Sequence, residues 1–354
     1  MKVRRKILIG LMVAALAVPA VSSAPVFAGE NVKTESSEAE QAAEEKMTSS
    51  GSEAEQAVEE KMTSSGSEAE QAAEDREGTE SVEETVKSGK KAGAAESEKI
   101  EFDPSWEYAD KSKIHTGTAT LYHADPSVAN GRVVCINAGH GTKGGSSVKT
   151  LCHPDGTPKV TGGTTEAGEV EAVAVSSGVD FPDGTTEASH TLSEALIAKK
   201  TLLDAGYDVL MIRETDDVQL DNIARTLIAN HYADCHIAIH YDYTETDKGA
   251  FFMSVPSNES YREMEPVKSH WQEHNALGRA VVSGLSSKGF KLCDGGEMEM
   301  DLTQTSYSTV PSIDLEVGDK ASDTSEKTQT LVAEGIKLGL DRFFVEWEEQ
   351  KKNS

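Results

Sequence analysis

The sequence predicts an α/β fold in which a mainly parallel, twisted sheet carries helices on both faces. Short apolar runs, typical of strands that are buried on both faces, occur at 133–138, 207–213, 235–240, 250–255 and 312–317. Segments with a helical spacing of apolar residues separate them, at 187–205, 218–232, 270–286 and 325–344. This alternation of strands and helices indicates one folded domain, which we place at 132–346 after a lead-in segment at 101–131, with a short tail at 347–354.

The N-terminal residues have the three parts of a secretory signal peptide. Basic residues at positions 2–6 precede an apolar run over 7–20, and small residues lead to Ala28. This order predicts a signal peptide at 1–28 and a secreted or cell-envelope protein. An uncleaved anchor is the alternative, although Pro19 and Pro25 interrupt the apolar stretch. We expect no stable membrane span in the mature protein.

Residues 29–100 form an acidic, low-complexity segment. Glu38, Glu53 and Glu68 occupy the same position in successive copies of a repeat, so the period is fifteen residues. The repeat has no aromatic residue and its apolar residues are mostly alanine, so it cannot bury enough surface to offset the entropy of the chain. We predict a disordered spacer. A repeat that recognises a partner is the alternative, but it lacks a hydrophobic anchor.

The charge and the cysteines limit the classes of partner and scaffold. The formal net charge is -27, which makes nucleic acid an unfavourable partner. Four cysteines are too few for a fold built on disulfides. Cys135 and Cys235 lie inside predicted strands and are expected to be buried thiols. Cys152 and Cys293 lie in predicted loops, and the sequence leaves open whether they form a bridge.

Three residues at the ends of predicted elements suit a divalent metal. His140 follows the first strand and His240 ends the third, each five residues after a cysteine, while Glu187 opens a helix. Two imidazoles and one carboxylate are a donor set of catalytic zinc sites. His140 alone could be a turn residue, and an acidic residue in a first helical turn is favoured by the helix dipole in any case. His190, three residues after Glu187, is an alternative ligand or a group that supports one.

An ordered series of motifs resembles a known family. The series comprises Asn137-Ala-Gly-His140-Gly, Glu187 ahead of a helix that ends Asp204-Ala-Gly-Tyr-Asp-Val, Ile212-Arg213, Leu220 and Arg225 with Ala229-Asn230, Ala233-Asp234, Ile239-His240, and Asp314-Leu-Glu316-Val-Gly. It is similar to the zinc-dependent N-acetylmuramoyl-L-alanine amidases of bacterial cell walls, the amidase-3 family, over about 132–345. Each motif is weak alone, whereas the complete series in order is specific.

The resemblance implies a role for four residues. His140, Glu187 and His240 are the implied ligands of one Zn²⁺ per chain, and Glu316 is the implied catalytic carboxylate. The implied substrate is peptidoglycan, cut between the lactyl group of muramic acid and the L-alanine of the stem peptide. A carboxylate beside the metal suits this chemistry, because the water proton must be taken up and returned to the departing amine.

Some stretches depart from the family pattern or carry no implied role. The residues around His240 and those at 318–322 differ from the usual family sequence, so we expect an effect on substrate preference more than on metal binding. The long 144–186 loop is predicted to form a groove wall or flap. Arg213 and Arg225 are expected to be structural, with Arg225 paired to an acidic neighbour.

Two other functions remain open at this point. A zinc peptidase that cuts between stem amino acids would use the same side chains, and analysis of the fragments would distinguish it. A non-catalytic protein that binds the wall, or activates a partner, would keep the fold without the reaction. The presence of all four functional side chains argues against this last class. The sequence does not predict an oligomeric state.

Overall fold

The computed structural model describes residues 96–353. The predicted signal peptide and the predicted linker up to residue 95 lie outside the described residues. The last residues assigned to the linker belong to a strand, β1 (Ser97–Glu101), because Ile100 is buried in one cluster with Ala119 and Leu121. The strand therefore includes residues 97–100, which precede the predicted boundary at 101.

An eight-stranded sheet forms the centre of the described region. Its other strands are β2 (Thr118–Tyr122), β3 (Val133–Ala138), β6 (Asp208–Met211), β7 (Cys235–Asp242), β8 (Ala250–Ser254), β9 (Leu292–Glu299) and β10 (Ser312–Asp319), while β4 (Lys149–Leu151) and β5 (Glu171–Val173) form a separate hairpin. The order across the sheet is β1-β2-β6-β3-β7-β10-β8-β9. The four central strands, β6, β3, β7 and β10, pair in parallel, whereas β1, β2 and β8 run antiparallel to their inner neighbours. The predicted mainly parallel sheet is confirmed.

Helices cover both faces of this sheet, as predicted. They are α1 (Glu187–Asp204), α2 (Asn222–Tyr232), α3 (Glu259–Arg262), α4 (Val267–Ser287), α5 (Thr303–Tyr307) and α6 (Glu326–Asn353). Leu202 of α1, Leu285 of α4 and Leu340 of α6 lie in one core cluster with the odd-numbered residues of β7. Ile228 of α2 lies in the cluster on the other face, with Cys135. The even-numbered residues of β7, which include His240, therefore point away from the larger core.

The C-terminal helix is longer than predicted. It continues past residue 344 to Asn353, so most of the predicted tail at 347–354 is helical. Trp347 explains the extension, because its ring stacks on Phe343 with 5.7 Å between centroids and its Nε1–H donates to Glu273 at 2.9 Å. Within residues 96–353, no helix is both long enough and apolar enough to span a membrane.

All four cysteines are free and buried, so Cys152 and Cys293 are not bridged. Cys135 and Cys235 lie in clusters on opposite faces of the sheet. The strand pairing explains this, because Cys235 lies opposite Val134, the residue before Cys135. Burial raises the pKa of both thiols, which keeps them protonated at neutral pH.

Candidate metal centre

Strand register brings the two predicted histidine ligands together. β3 and β7 are parallel neighbours with Ala138 opposite Ile239, so the turn after β3 faces the end of β7. His140 Nε2 lies 3.0 Å from His240 Nδ1. Glu187 Oε1 lies 2.7 Å from the first nitrogen and 3.1 Å from the second. The three side chains form a group whose donor atoms all lie within 4.8 Å, and this group could hold a metal ion.

Two buried arginines hold the turn that carries His140. The turn needs support because His140 and Gly141 both adopt positive φ, 62° and 69°. Arg213 Nη2 donates to the carbonyl oxygen of Gly139 at 2.8 Å, and Arg225 Nη2 donates to that of His140 at 2.7 Å. The hydrogen bonds of Arg225 go to Asn137, Thr142 and backbone carbonyls rather than to the acidic neighbour that the sequence suggested. The carbonyl oxygens of Ala138 and His140, at the end of β3 and just after it, accept these hydrogen bonds in place of a carboxylate.

Glu187 is fixed at both carboxylate oxygens. Thr186 caps α1 by accepting a hydrogen bond from Ser189 N–H, so the helix begins with Glu187 at the sheet edge. The N–H of Tyr241 donates to Oε1 and that of Val179 to Oε2, each at 3.1 Å. Burial opposes ionisation, but the nearby imidazoles of His140 and His240 outweigh it and lower the pKa of Glu187. The carboxylate is therefore ionised and in place.

The partners of the two imidazoles indicate which nitrogen of each is free to bind a metal. His140 Nδ1 lies 2.8 Å from the carbonyl oxygen of Ser176, which can only accept, so Nδ1 carries the hydrogen and Nε2 presents a lone pair. His240 presents Nδ1 to the same point, and its Nε2 faces Asp314 Oδ2 at 3.6 Å. Burial disfavours a charge on His240, yet Asp314 and Glu187 outweigh it and raise its pKa to about 10. The same negative charge favours a metal cation here.

Glu316 stands beside this group on the neighbouring strand. It lies opposite His240 in the parallel pairing of β10 with β7. Its side chain is buried, and Oε2 has no hydrogen-bond partner in the described part of the chain. Burial and, next, the charge of Asp314 raise the pKa of Glu316 well above its usual range. A raised pKa makes a carboxylate a better proton acceptor than an exposed one.

Two glycines permit the close approach of backbone to the ligands. A Cβ on Gly139 would lie 2.3 Å from Cε1 of His240. Gly178 adopts a φ of +82°, and a Cβ there would lie 2.9 Å from both Glu187 Oε2 and His140 Cδ2. The segment at 176–179, from the long loop between β3 and α1, therefore packs directly against two of the candidate ligands.

The geometry of the group fits a tetrahedral metal with little adjustment. Ligand atoms at about 2.0–2.1 Å from a tetrahedral zinc lie about 3.3 Å from one another. The observed separations of 2.7, 3.0 and 3.1 Å need to open by only a few tenths of an ångström. Three convergent lone pairs, with a negatively charged surround, are the chemistry that a divalent cation satisfies.

His190, the alternative ligand, is outside this group. Its Nε2 lies 2.6 Å from the hydroxyl of Thr185, and its ring packs against Phe181 at 4.3 Å between centroids.

Three contributors at the site had no assigned role from sequence: Asp314, Ser176 and Gly178. Of the three, only Asp314 could have been identified from the sequence. Asp314 and Glu316 are two positions apart in an apolar strand, so their side chains lie on the same face.

Comparison with models of protein families identifies one family. Residues 134–342 match the Amidase_3 family, described as N-acetylmuramoyl-L-alanine amidase. The crystal structure of the apo form of the amidase Ami1 from Mycobacterium abscessus has 18% sequence identity and a TM-score of 0.49, covering 60% of this chain and 99% of that one. The catalytic domain of the amidase CwlV from Bacillus (Paenibacillus) polymyxa var. colistinus has 20% identity and a TM-score of 0.42, covering 60% and 98%. None of the curated proteins matches the chain. The family match includes all three candidate ligands and Glu316.

Proposed function

The chain belongs to the Amidase_3 family, the N-acetylmuramoyl-L-alanine amidases, and we propose that this amide hydrolase is zinc-dependent. We further propose that it cuts the bond between the lactyl group of N-acetylmuramic acid and the L-alanine of peptidoglycan stem peptides. The observation that carries this proposal is the position of Glu316. Its buried carboxyl group, whose Oε2 has no hydrogen-bond partner among residues 96–353, lies opposite His240, beside three side chains that could hold a metal ion.

In this proposal His140, Glu187 and His240 would hold one Zn²⁺. Bound zinc supplies Lewis-acid polarisation of the carbonyl group and lowers the pKa of water. Ser176 keeps the Nε2 lone pair of His140 aimed at the metal-binding point, and Arg213 and Arg225 keep the His140 turn from relaxing.

Glu316 carries the proton transfers. Its carboxylate accepts the proton of the attacking water and then donates it to the nitrogen of L-alanine, so that the amine leaves neutral. Burial of the group suits this double role, because it raises the pKa of Glu316 above its usual range and so makes the carboxylate a stronger base. No second carboxylate is needed for the transfers.

The site of action follows from the substrate. A cell-wall amidase acts in the extracellular space or the envelope, and we propose that the signal peptide at 1–28 exports it there. The acidic repeat then serves as a spacer between the exported N-terminus and the catalytic domain. Cleavage after Ala28 can be checked by N-terminal sequencing of the secreted protein.

Digestion of purified cell walls tests the proposed function. The wild type should release stem peptides, whereas Glu316→Ala and His240→Ala should each reduce the rate at least about 100-fold. A wild-type rate retained by both variants would refute the assigned roles. Release of peptides that begin at a later stem residue would instead identify a peptidase that uses the same site.

A further inference from the structure

Asp314 is an acidic residue in a strand that is otherwise apolar at this point. Its neighbours Ile313 and Leu315 are fully buried, and β10 lies between β7 and β8 inside the sheet. A charge placed there is costly unless a partner or a function compensates for it. Its Oδ1 has no hydrogen-bond partner within residues 96–353, and Oδ2 faces His240. The carboxylate therefore has one evident partner, the imidazole of His240.

The pairing of β10 with β7 places Asp314 on the far side of that ring from the metal-binding point. Asp314 lies opposite Ala238, and Glu316 lies opposite His240 itself. His240 Nδ1 turns toward Glu187 and His140, at 3.1 and 3.0 Å, and Nε2 turns toward Asp314 Oδ2, at 3.6 Å. Asp314 is also not a member of the group whose donor atoms lie within 4.8 Å of one another. The residue is placed to act on a ligand rather than to be one.

We propose that Asp314 is a positioning residue, whose carboxylate accepts the Nε2–H of His240 and so fixes the ring with the Nδ1 lone pair toward the metal. A carboxylate, unlike an amide or a hydroxyl, can only accept here, so it selects one of the two neutral tautomers. It also selects one of two ring orientations, since a flipped ring would direct carbon atoms at both the metal and the carboxylate. The separation of 3.6 Å closes to a hydrogen bond with a small rotation of either side chain.

The two histidine ligands are thereby supported in different ways. His140 donates to a neutral backbone carbonyl, that of Ser176. His240 donates to a charged carboxylate, which makes the imidazole a stronger electron donor to the metal. Loss of such a partner typically weakens metal affinity by about 10- to 100-fold. Because Asp314 and Glu316 share one face of β10, the same strand supplies both the supporting carboxylate and the catalytic one.

Zinc and cobalt binding test this inference without any substrate. The inference rests on the proposed metal site, so wild-type protein is first titrated with Zn²⁺ against a competing chelator and with Co²⁺ by visible absorption. Asp314→Asn keeps the shape of the side chain and removes its charge. We expect its zinc affinity to fall about 10- to 100-fold and its Co²⁺ spectrum to change, because the ring is no longer held in one orientation.

Asp242→Asn is the matched control. Asp242 is a carboxylate at the same sheet edge, but it is paired with Lys248 at 3.0 Å and not with the ring of His240. Its loss weakens binding only through the electric field of one charge, so the Co²⁺ spectrum should match that of the wild type. Thermal unfolding of each metal-free variant confirms the fold, and Asp314→Ser replaces the asparagine variant if that variant does not fold.

The outcomes separate this inference from the proposed function. If Asp314→Asn matches Asp242→Asn in both affinity and spectrum, Asp314 does not position the ligand, while the metal site itself stands. If the wild type binds neither metal, the proposed metal-dependent function fails and the inference fails with it. Glu316→Gln should bind zinc like the wild type, since Glu316 is assigned to proton transfer and not to ligand support.

Discussion

The carbonyl oxygen of Ser176 accepts a 2.8 Å hydrogen bond from Nδ1 of His140. This contact ties the long loop between β3 and α1 to the first candidate ligand, and the N–H of Val179 ties the same loop to Glu187. The loop was predicted to be a groove wall or flap. That role stays a prediction. Because the loop contacts two candidate metal ligands, changes in it should be detectable in metal binding.

Substitution of Gly178 tests this coupling directly. Gly178→Ala introduces a Cβ 2.9 Å from Glu187 Oε2, so the loop or the ligand must move. We expect zinc affinity to fall at least about tenfold. Gly184→Ala is the matched control, because Gly184 has nearly the same φ, +84° against +82°, but nothing within 4 Å of its added Cβ. Equal zinc affinity in the two variants, measured by chelator competition, would show that the loop does not constrain the ligands.

The middle of the loop is anchored by a buried ion pair. Asp301 lies 2.8 Å from Lys159 Nζ and also accepts a hydrogen bond from Thr161. Asp301→Asn leaves the charge of Lys159 buried without its partner. We expect a loss of about 3–5 kcal/mol in the free energy of unfolding at pH 7, measured with urea.

The same ion pair predicts a dependence on pH. Burial opposes ionisation of Asp301, but the hydrogen bonds from His153 and Lys159 outweigh it and hold its pKa below the usual 3.8. A carboxyl group with a lowered pKa stabilises the fold fully above its unfolded-state pKa and loses that effect as the pH falls. The difference in the free energy of unfolding between the wild type and Asp301→Asn should therefore begin to decrease below about pH 4. A difference that stays constant from pH 7 to pH 3 would contradict the assigned role.

Arg225 should be critical for stability although none of its hydrogen bonds goes to an acidic residue. Its guanidinium is buried and donates to the carbonyl oxygens of Ala138 and His140, among others. Arg225→Met removes these donors from buried carbonyl oxygens, and we expect a loss of about 3 kcal/mol or more in the free energy of unfolding. Arg342→Met, at an exposed arginine that contacts Ser283 and Ser287, should change it by no more than about 0.5 kcal/mol. Chemical unfolding of both variants makes the comparison.

Metal binding should also stabilise the folded protein. At a free Zn²⁺ concentration 100 times the dissociation constant, the gain is about 2.7 kcal/mol. Thermal unfolding of the wild type should therefore shift upward with added Zn²⁺ and return after chelation. His140→Ala, which removes one ligand from the group, should show a much smaller shift at the same concentration. An equal shift in both proteins would place the stabilising metal elsewhere.

The central fold was predictable because buried parallel strands have continuous apolar sequences. The strand at 133–138 and the start of α1 at Glu187 were both predicted as found. β1 and β2 were not predicted, because each is short and lacks a continuous apolar run. Both join the edge of the sheet through antiparallel pairing. β9 was not predicted either, because it contains Gly295, Gly296 and several acidic residues, which are uncommon in strands.

The candidate ligands were predictable for a different reason. His140 and His240 follow or end apolar strands, and parallel neighbours present their ends at one edge. The role of Asp314 required the register of β10 against β7, which depends on packing across the sheet. The contribution of Ser176 was not predictable, since a backbone carbonyl leaves no trace in the type of side chain.

Hydrolysis of purified peptidoglycan in H₂¹⁸O, followed by mass spectrometry, tests the central claim most directly. The new carboxylate receives the water oxygen, so its position identifies the bond that was cut. The proposed amidase reaction predicts one ¹⁸O on the lactyl carboxylate of muramic acid and unlabelled stem peptides with a free L-alanine amino group, with both products absent for Glu316→Gln. Label in a carboxylate of the stem peptide would contradict the proposed reaction.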